Sequence, residues 1–241
     1  MKIQEREKAC LQLLRKLPEK FVLVGGYATS SFDFPRFSVD LDIVIAEKDQ
    51  KKFAQVLKEE GLKLIKEVGD FSRFYKGRMI RFEKIGDGPP VRVDLFVNMI
   101  QSRQTDATYT FDYLWRNSER RNVIGYGVRE SVQTRVADRE MLIALKINSM
   151  RTADQRDIIA LCNGEVDVKK VMRHLKRCPK EKILAHLDIL IEILENPKSK
   201  DSIKGVFTIS DKVYKKMLDK AEKEITTIKA DLLARGRPKI Q

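Results

Sequence analysis

The chain has 241 residues, of which 42% are hydrophobic and 34% charged, with Gly and Pro together at only 19 positions. That composition excludes a collagen-like, mucin-like or wholly disordered chain, and the length is enough for one large or two small domains with their own cores. Lys and Arg outnumber Asp and Glu by 48 to 35, a formal charge of +13. The excess is spread along the chain: residues 165–241 alone hold 19 Lys and Arg against 12 Asp and Glu. A basic surface on both halves favours an extended polyanionic partner such as RNA over a detachable basic arm.

Cys10, Cys162 and Cys178 are odd in number, far apart and without a CxxC pair, so they read as ordinary reduced thiols. The charged N-terminus, MKIQEREKAC, lacks a signal-peptide core, and no stretch approaches the length of apolar sequence that spans a bilayer. A cytoplasmic location with no membrane partner is expected.

Taken in chain order, Ile3, Cys10, Leu14 and Leu17 mark one helical face before Pro18. Phe21–Val24 is a continuous apolar run broken by Gly25-Gly26, the pattern of a buried strand that turns sharply. Residues 39–45 alternate, with Val39, Leu41, Ile43 and Ile45 against Asp40, Asp42 and Val44, and predict a half-buried strand. Asp49 is a candidate N-cap for a helix through Glu60, closed by Gly61. Strands are expected at 62–67, 71–76 and 78–84, a loop at Gly86–Pro90, and a further alternating strand at Val91–Val97 with Arg92, Asp94 and Phe96 on one face. The aromatics of residues 71–75 read as cross-strand pairs of that sheet. Residues 99–120 suggest a loop and a short helix near Phe111–Trp115, and Ile124–Val128 a bend. Beyond about residue 136 helical periodicity takes over, at 138–150, 153–162, 168–177, 180–195 and 210–235, with Asp138 as a candidate cap. The expectation is an α/β (α+β) chain: a small mixed-sheet domain at 1–135 followed by a helical domain at 136–241.

The chemistry-bearing residues lie in the first half. On a strand, residues i and i+2 share a face roughly 6.5–7 Å apart, so Asp40 and Asp42 stand together, and Asp94 occupies the equivalent place on its own strand. If those strands are neighbours, three carboxylates converge. Such a cluster repels itself unless cations are present, and its all-oxygen donor set suits Mg²⁺ or Mn²⁺. Two such ions can clamp the entering and leaving oxygens of an in-line displacement at phosphorus. The Gly25-Gly26 turn would let backbone N–H groups approach a polyphosphate, with Ser30 or Thr29 adding a hydroxyl. His174 and His186 are the only histidines and twelve residues apart, so neither a metal pair nor a Ser-His-Asp triad is indicated; a GxxxxGK[ST] loop and a helix-opening GxGxxG are also missing.

The segment VGGYATSSFDFPRFSVDLDIVI resembles the signature of the DNA-polymerase-beta-like nucleotidyltransferases, and VRVDLFV resembles their third-carboxylate strand. Within that superfamily the chain is most similar to the AbiEii-type toxins, which read GGTALS and then Arg-x-Ser/Thr-x-Asp-hydrophobic-Asp. Here Gly25–Ser30 and Arg36–Asp42 stand in those places, with Tyr27 and Thr29 departing from the wording. A late stretch, Glu140–Lys146, Arg151 and Gln155–Leu161, is similar to the family's helical motif of a Lys followed by a basic-Asp pair.

The resemblance implies Asp40, Asp42 and Asp94 as metal-binding catalytic residues. It also implies Gly25, Gly26, Ser30, Arg36 and Lys146 around the nucleotide, and an orienting role for Asp157. It implies an NTP donor, a hydroxyl acceptor on RNA or protein, and an antitoxin partner. Two rivals stand beside it: a basic nucleic-acid-binding module that keeps the fold without catalysis, and a small-molecule nucleotidyltransferase, whose polycationic acceptor would sit poorly on a +13 chain.

Overall fold

The structure, a computed structural model, describes residues 3–69, 77–86 and 88–234; the strand expected at 71–76 and its aromatics lie outside them. The chain divides into two compact units, Met1–Gln101 with Thr108–Asp138, and Ser102–Ala107 with Arg139–Gln241.

The first unit is built on a seven-stranded mixed sheet. Its strands are β1 (Val22–Val24), β2 (Asp40–Ile45), β3 (Lys63–Val68), β4 (Arg78–Gly86), β5 (Gly88–Val97), β8 (Ser118–Ile124) and β9 (Ser131–Ala137), in the order β3-β4-β5-β2-β1-β9-β8. β2 runs parallel to β5 and β1 parallel to β9, while the other neighbours are antiparallel. Two short strands, β6 (Met99–Gln101) and β7 (Thr108–Thr110), pair separately. Register places Leu23, Ile43, Leu95 and Ile80 in one row across four strands, and all four are buried. Each contributes roughly 1.5–3 kcal/mol of burial, and a one-residue slip of β2 would bring Asp40 and Asp42 onto that apolar face. Helix α1 (Ile3–Lys16) packs on β5 and β9 through a face that buries Cys10, Leu11 and Leu14. Ile3, expected on that face, is exposed.

Three local expectations are corrected. Asp49 ends a 3-10 turn, Glu47–Asp49, in a helical conformation, and its side chain makes no capping bond to helix α3 (Gln50–Glu59). The loop expected at Gly86–Pro90 is largely taken up by strands: β4 runs to Gly86, which pairs with Gly88 at the start of β5, and Pro89 and Pro90, which cannot donate an N–H, precede the first residue of β5 paired with β2, Arg92. The loop expected after residue 99 contains the strands β6 and β7, while the short helix stands where it was expected, as α4 (Phe111–Arg116), capped by Thr110, whose hydroxyl accepts from the Tyr113 N–H.

The second unit is helical: α5 (Arg139–Ser149), α6 (Thr152–Leu161), α7 (Val168–Leu175), α8 (Lys180–Glu195), α9 (Ser199–Phe207) and α10 (Asp211–Ala234). Helix α5 buries Met141, Leu142, Ile143, Ala144 and Ile147 on several sides, as a central helix must. The longest helix, α10, buries Tyr214, Met217, Ala221, Ile225 and Ile228 at three- and four-residue intervals. Segment Ser102–Ala107 joins this unit through Asn148, whose backbone carbonyl accepts from the Ser102 hydroxyl and whose side-chain oxygen accepts from the Thr105 hydroxyl. Among the described residues no helix is long and apolar enough to cross a membrane.

Candidate active site

Parallel pairing of β2 with β5 sets Asp42 opposite Asp94 and Asp40 opposite Arg92, so the three aspartates share the sheet face opposite the Leu23 row. The next strand, β4, sets Arg81 opposite Asp94 and Glu83 opposite Arg92 on that same face. The result is a patch of four carboxylates and two guanidiniums. Arg81 grips Asp94 with a two-pronged pair, Nε to Oδ1 and Nη2 to Oδ2, both 2.7 Å. Arg92 donates through Nε to Glu83 at 2.6 Å and through Nη1 to Asp40 at the longer distance of 3.3 Å. Burial pushes the Asp40 carboxyl above the ordinary carboxylate value; Arg92 opposes that shift and the Asp94 charge adds to it.

Arg81 and Glu83 do not figure among the residues expected from motifs. Their signal is plain alternation: with Ile80 and Phe82 buried, Arg81 and Glu83 must face the other way.

The glycine turn is fitted to this face by its lack of side chains. Gly25 has φ +71°, and a Cβ there would lie 2.0 Å from Asp42 Oδ2. A Cβ on Gly26 would meet Ser38 Oγ at 2.2 Å. The chain enters a one-turn helix, α2 (Gly25–Thr29), directly after β1, and the following loop leads back to Asp40. Here the two hydroxyls expected near phosphate are engaged by the loop itself. Thr29 Oγ1 donates to the Gly25 carbonyl at 3.0 Å, and Ser30 Oγ donates to the Arg36 carbonyl and accepts from its N–H. The Arg36 guanidinium donates to the Phe37 carbonyl at 2.9 Å. Arg121 lies 4.0 Å over the Phe32 ring while bonding the Ser31 carbonyl, and Arg6 lies 4.6 Å over Phe37. The loop that delivers Asp40 is therefore pinned from two sides.

In kind, the donors fit a hard divalent cation: only carboxylate oxygens, on two adjacent strands in register. In arrangement, no three His, Cys, Asp or Glu side chains among the described residues are gathered closely enough to hold an ion. Asp94 and Asp40 point instead at Arg81 and Arg92.

Lys146 and Asp157 belong to the helical unit, where the Lys146 ammonium lies 2.6 Å from Asp157 Oδ2 and 3.1 Å from Asp154 Oδ1. All three residues are buried. Asp154, unanticipated from the motif, also accepts from the Arg151 backbone N–H and side chain, bracing the start of α6. Burial alone would raise the Asp154 carboxyl, but Lys146 and Arg151 overcome it and hold it down to about 2. His174 is buried and its imidazole is pushed down to about 4 chiefly by burial, so it is neutral at pH 7; His186 Nδ1 sits 2.6 Å from the Ile147 carbonyl. The thiols of Cys10 and Cys162 are pushed up by burial, to about 11 and about 12.

Two solved structures from Helicobacter pylori share low similarity with the chain. One, provisionally described as a nucleotidyltransferase, is 14% identical with a TM-score of 0.48, covering 98% of this chain and 97% of that one. The other, JHP933, is 14% identical with a TM-score of 0.47, covering 96% and 92%. The antibiotic-resistance factor ANT(2'')-Ia is 12% identical with a TM-score of 0.35, covering 79% and 90%. No curated protein sequence matches. The profile of the family described as nucleotidyl transferase AbiEii toxin, Type IV TA system, matches residues 12–230, which include the glycine turn, all three aspartates and Lys146. The chain belongs to the AbiEii nucleotidyltransferase toxin family.

Proposed function

We propose that this protein transfers a nucleoside monophosphate from an NTP to a hydroxyl acceptor, with Asp40, Asp42 and Asp94 holding Mg²⁺ or Mn²⁺. The observation that carries this reading is the in-register placement of Asp42 against Asp94, with the Gly25 backbone packed on the Asp42 carboxylate. A divalent ion bound there would supply charge neutralisation at the reacting phosphate. Asp40, Asp42 and Asp94 would be its ligands, and Asp94, once free of Arg81, would help to take the proton of the acceptor hydroxyl. Gly25 and Gly26, which open α2, would offer backbone N–H groups to the phosphates, and Arg36 and Ser30 are assigned beside them on family likeness. Lys146 and Asp157 are assigned to the nucleotide on family likeness, and here Lys146 is engaged by Asp154 and Asp157. Work of this kind is positioning and electrostatics, and it needs no covalent nucleophile.

The basic chain favours RNA as the acceptor, and the family description favours an antitoxin partner. The test supplies wild type and Asp42→Asn with Mg²⁺, NTPs labelled at the α- or the γ-phosphate, and total RNA or the polypeptide alone. Label from the α-phosphate alone, transferred by wild type and lost in Asp42→Asn at unchanged melting temperature, is the expected result. RNA binding that needs neither Mg²⁺ nor Asp42, with no transfer, would replace it with the binding-module reading.

A further inference from the structure

We infer that Arg81 is the resident counter-ion of the carboxylate face, held by Asp94 until a divalent cation displaces it. The inference rests on the proposed metal-binding role of the aspartates and adds a residue to it that no motif contains.

The two-pronged pair engages both oxygens of Asp94 at 2.7 Å, so a metal ion and the Arg81 guanidinium compete for the same lone pairs. The Asp94 side chain is only 8% exposed and cannot rely on water for charge compensation. The Arg81 side chain is 29% exposed and can leave towards solvent on its long aliphatic stem. Arg92 is placed differently: its short contact is to Glu83 at 2.6 Å, and its hold on Asp40 is the longer one at 3.3 Å. Glu83 therefore keeps Arg92 on the face while Asp40 remains available.

Arg81 thus separates two needs. It keeps a nearly buried carboxylate paired when no metal is bound, and it sets the threshold a metal must exceed to enter.

The test compares full-length wild type with Arg81→Met, Arg81→Lys and Arg92→Met. Each is titrated with Mn²⁺ followed by electron paramagnetic resonance and melted with and without Mn²⁺. Arg81→Met should bind Mn²⁺ about tenfold more tightly, because a charge-assisted pair no longer competes for Asp94. It should also melt lower than wild type without metal and regain the difference with it. Arg81→Lys, which folds with the charge retained but lacks the fork, should fall between the two. Arg92→Met should change Mn²⁺ affinity by less than Arg81→Met. Equal or weaker Mn²⁺ binding by Arg81→Met, with binding still lost in Asp94→Asn, overturns the role of Arg81 and leaves the metal site standing. Mn²⁺ binding unaffected by Asp42→Asn and Asp94→Asn removes the metal site, and Arg81 with it.

Discussion

Two ion clusters in this protein use the same chemistry in opposite ways. On the sheet, Asp94 and Asp40 face Arg81 and Arg92, whose side chains are 29% and 26% exposed. Among the helices, Lys146 meets Asp154 and Asp157, and the three side chains are 5%, 2% and 0% exposed. A partner that reaches solvent can be exchanged, whereas a closed buried set must keep every member or leave a charge uncompensated. The sheet cluster is the one proposed to exchange its partners for a cation, and the helical cluster ties α5 to α6.

The largest expected effect separates the two directly. Lys146→Met removes the cation shared by two buried carboxylates and should cost about 3–5 kcal/mol in urea denaturation. A loss below about 1 kcal/mol would show that the helical cluster does not tie α5 to α6. Next comes Gly25→Ala, which combines a left-handed φ with a Cβ 2.0 Å from Asp42 Oδ2. About 2–3 kcal/mol of stability should go, together with nucleotidyl transfer, since the side chain that must move is Asp42. Unchanged transfer in Gly25→Ala would free the carboxylate face from the glycine turn.

Acid should weaken the helical cluster. Asp154 is depressed to about 2, so its contribution is present above the unfolded carboxylate value near 4 and is lost as pH falls towards 2. A depression of that size corresponds to roughly 2 kcal/mol, and Asp154→Asn should flatten that part of the stability–pH curve. The smallest effect belongs to Arg92→Met, below about 1 kcal/mol and diminished further by salt, because the guanidinium that pairs with Glu83 and Asp40 is itself partly exposed.

How legible this was depended on the range of the interaction. Alternation at 39–45 and 91–97 reads directly as strands with Asp40, Asp42 and Asp94 on one face, since period two is local. That β2 and β5 are neighbours is not local, for β3 and β4 intervene in sequence and lie on the far side of β5. The aspartates were readable through family likeness, whereas their arginine partners require the register of β4. The Gly-Pro-rich segment read as a loop because composition marks a break, whereas the pairing of Gly86 with Gly88 depends on the register of β4 against β5. Helix α9 escaped because its sequence SKDSIKGVF buries only Ile203 and Phe207, two positions of one stripe. Lys146 illustrates the limit of motif reading: the residue type was recognised, but its closure by Asp154 depends on the packing of α6 against α5.

The most direct single measurement is the anomalous signal of Mn²⁺ in crystals grown with a non-hydrolysable nucleoside triphosphate. The expected result is manganese among Asp40, Asp42 and Asp94, with the Arg81 guanidinium turned away from Asp94. Manganese elsewhere would contradict the assignment of this sheet face as the transfer site, and manganese among the aspartates beside an intact Arg81–Asp94 pair would contradict the role of Arg81 alone.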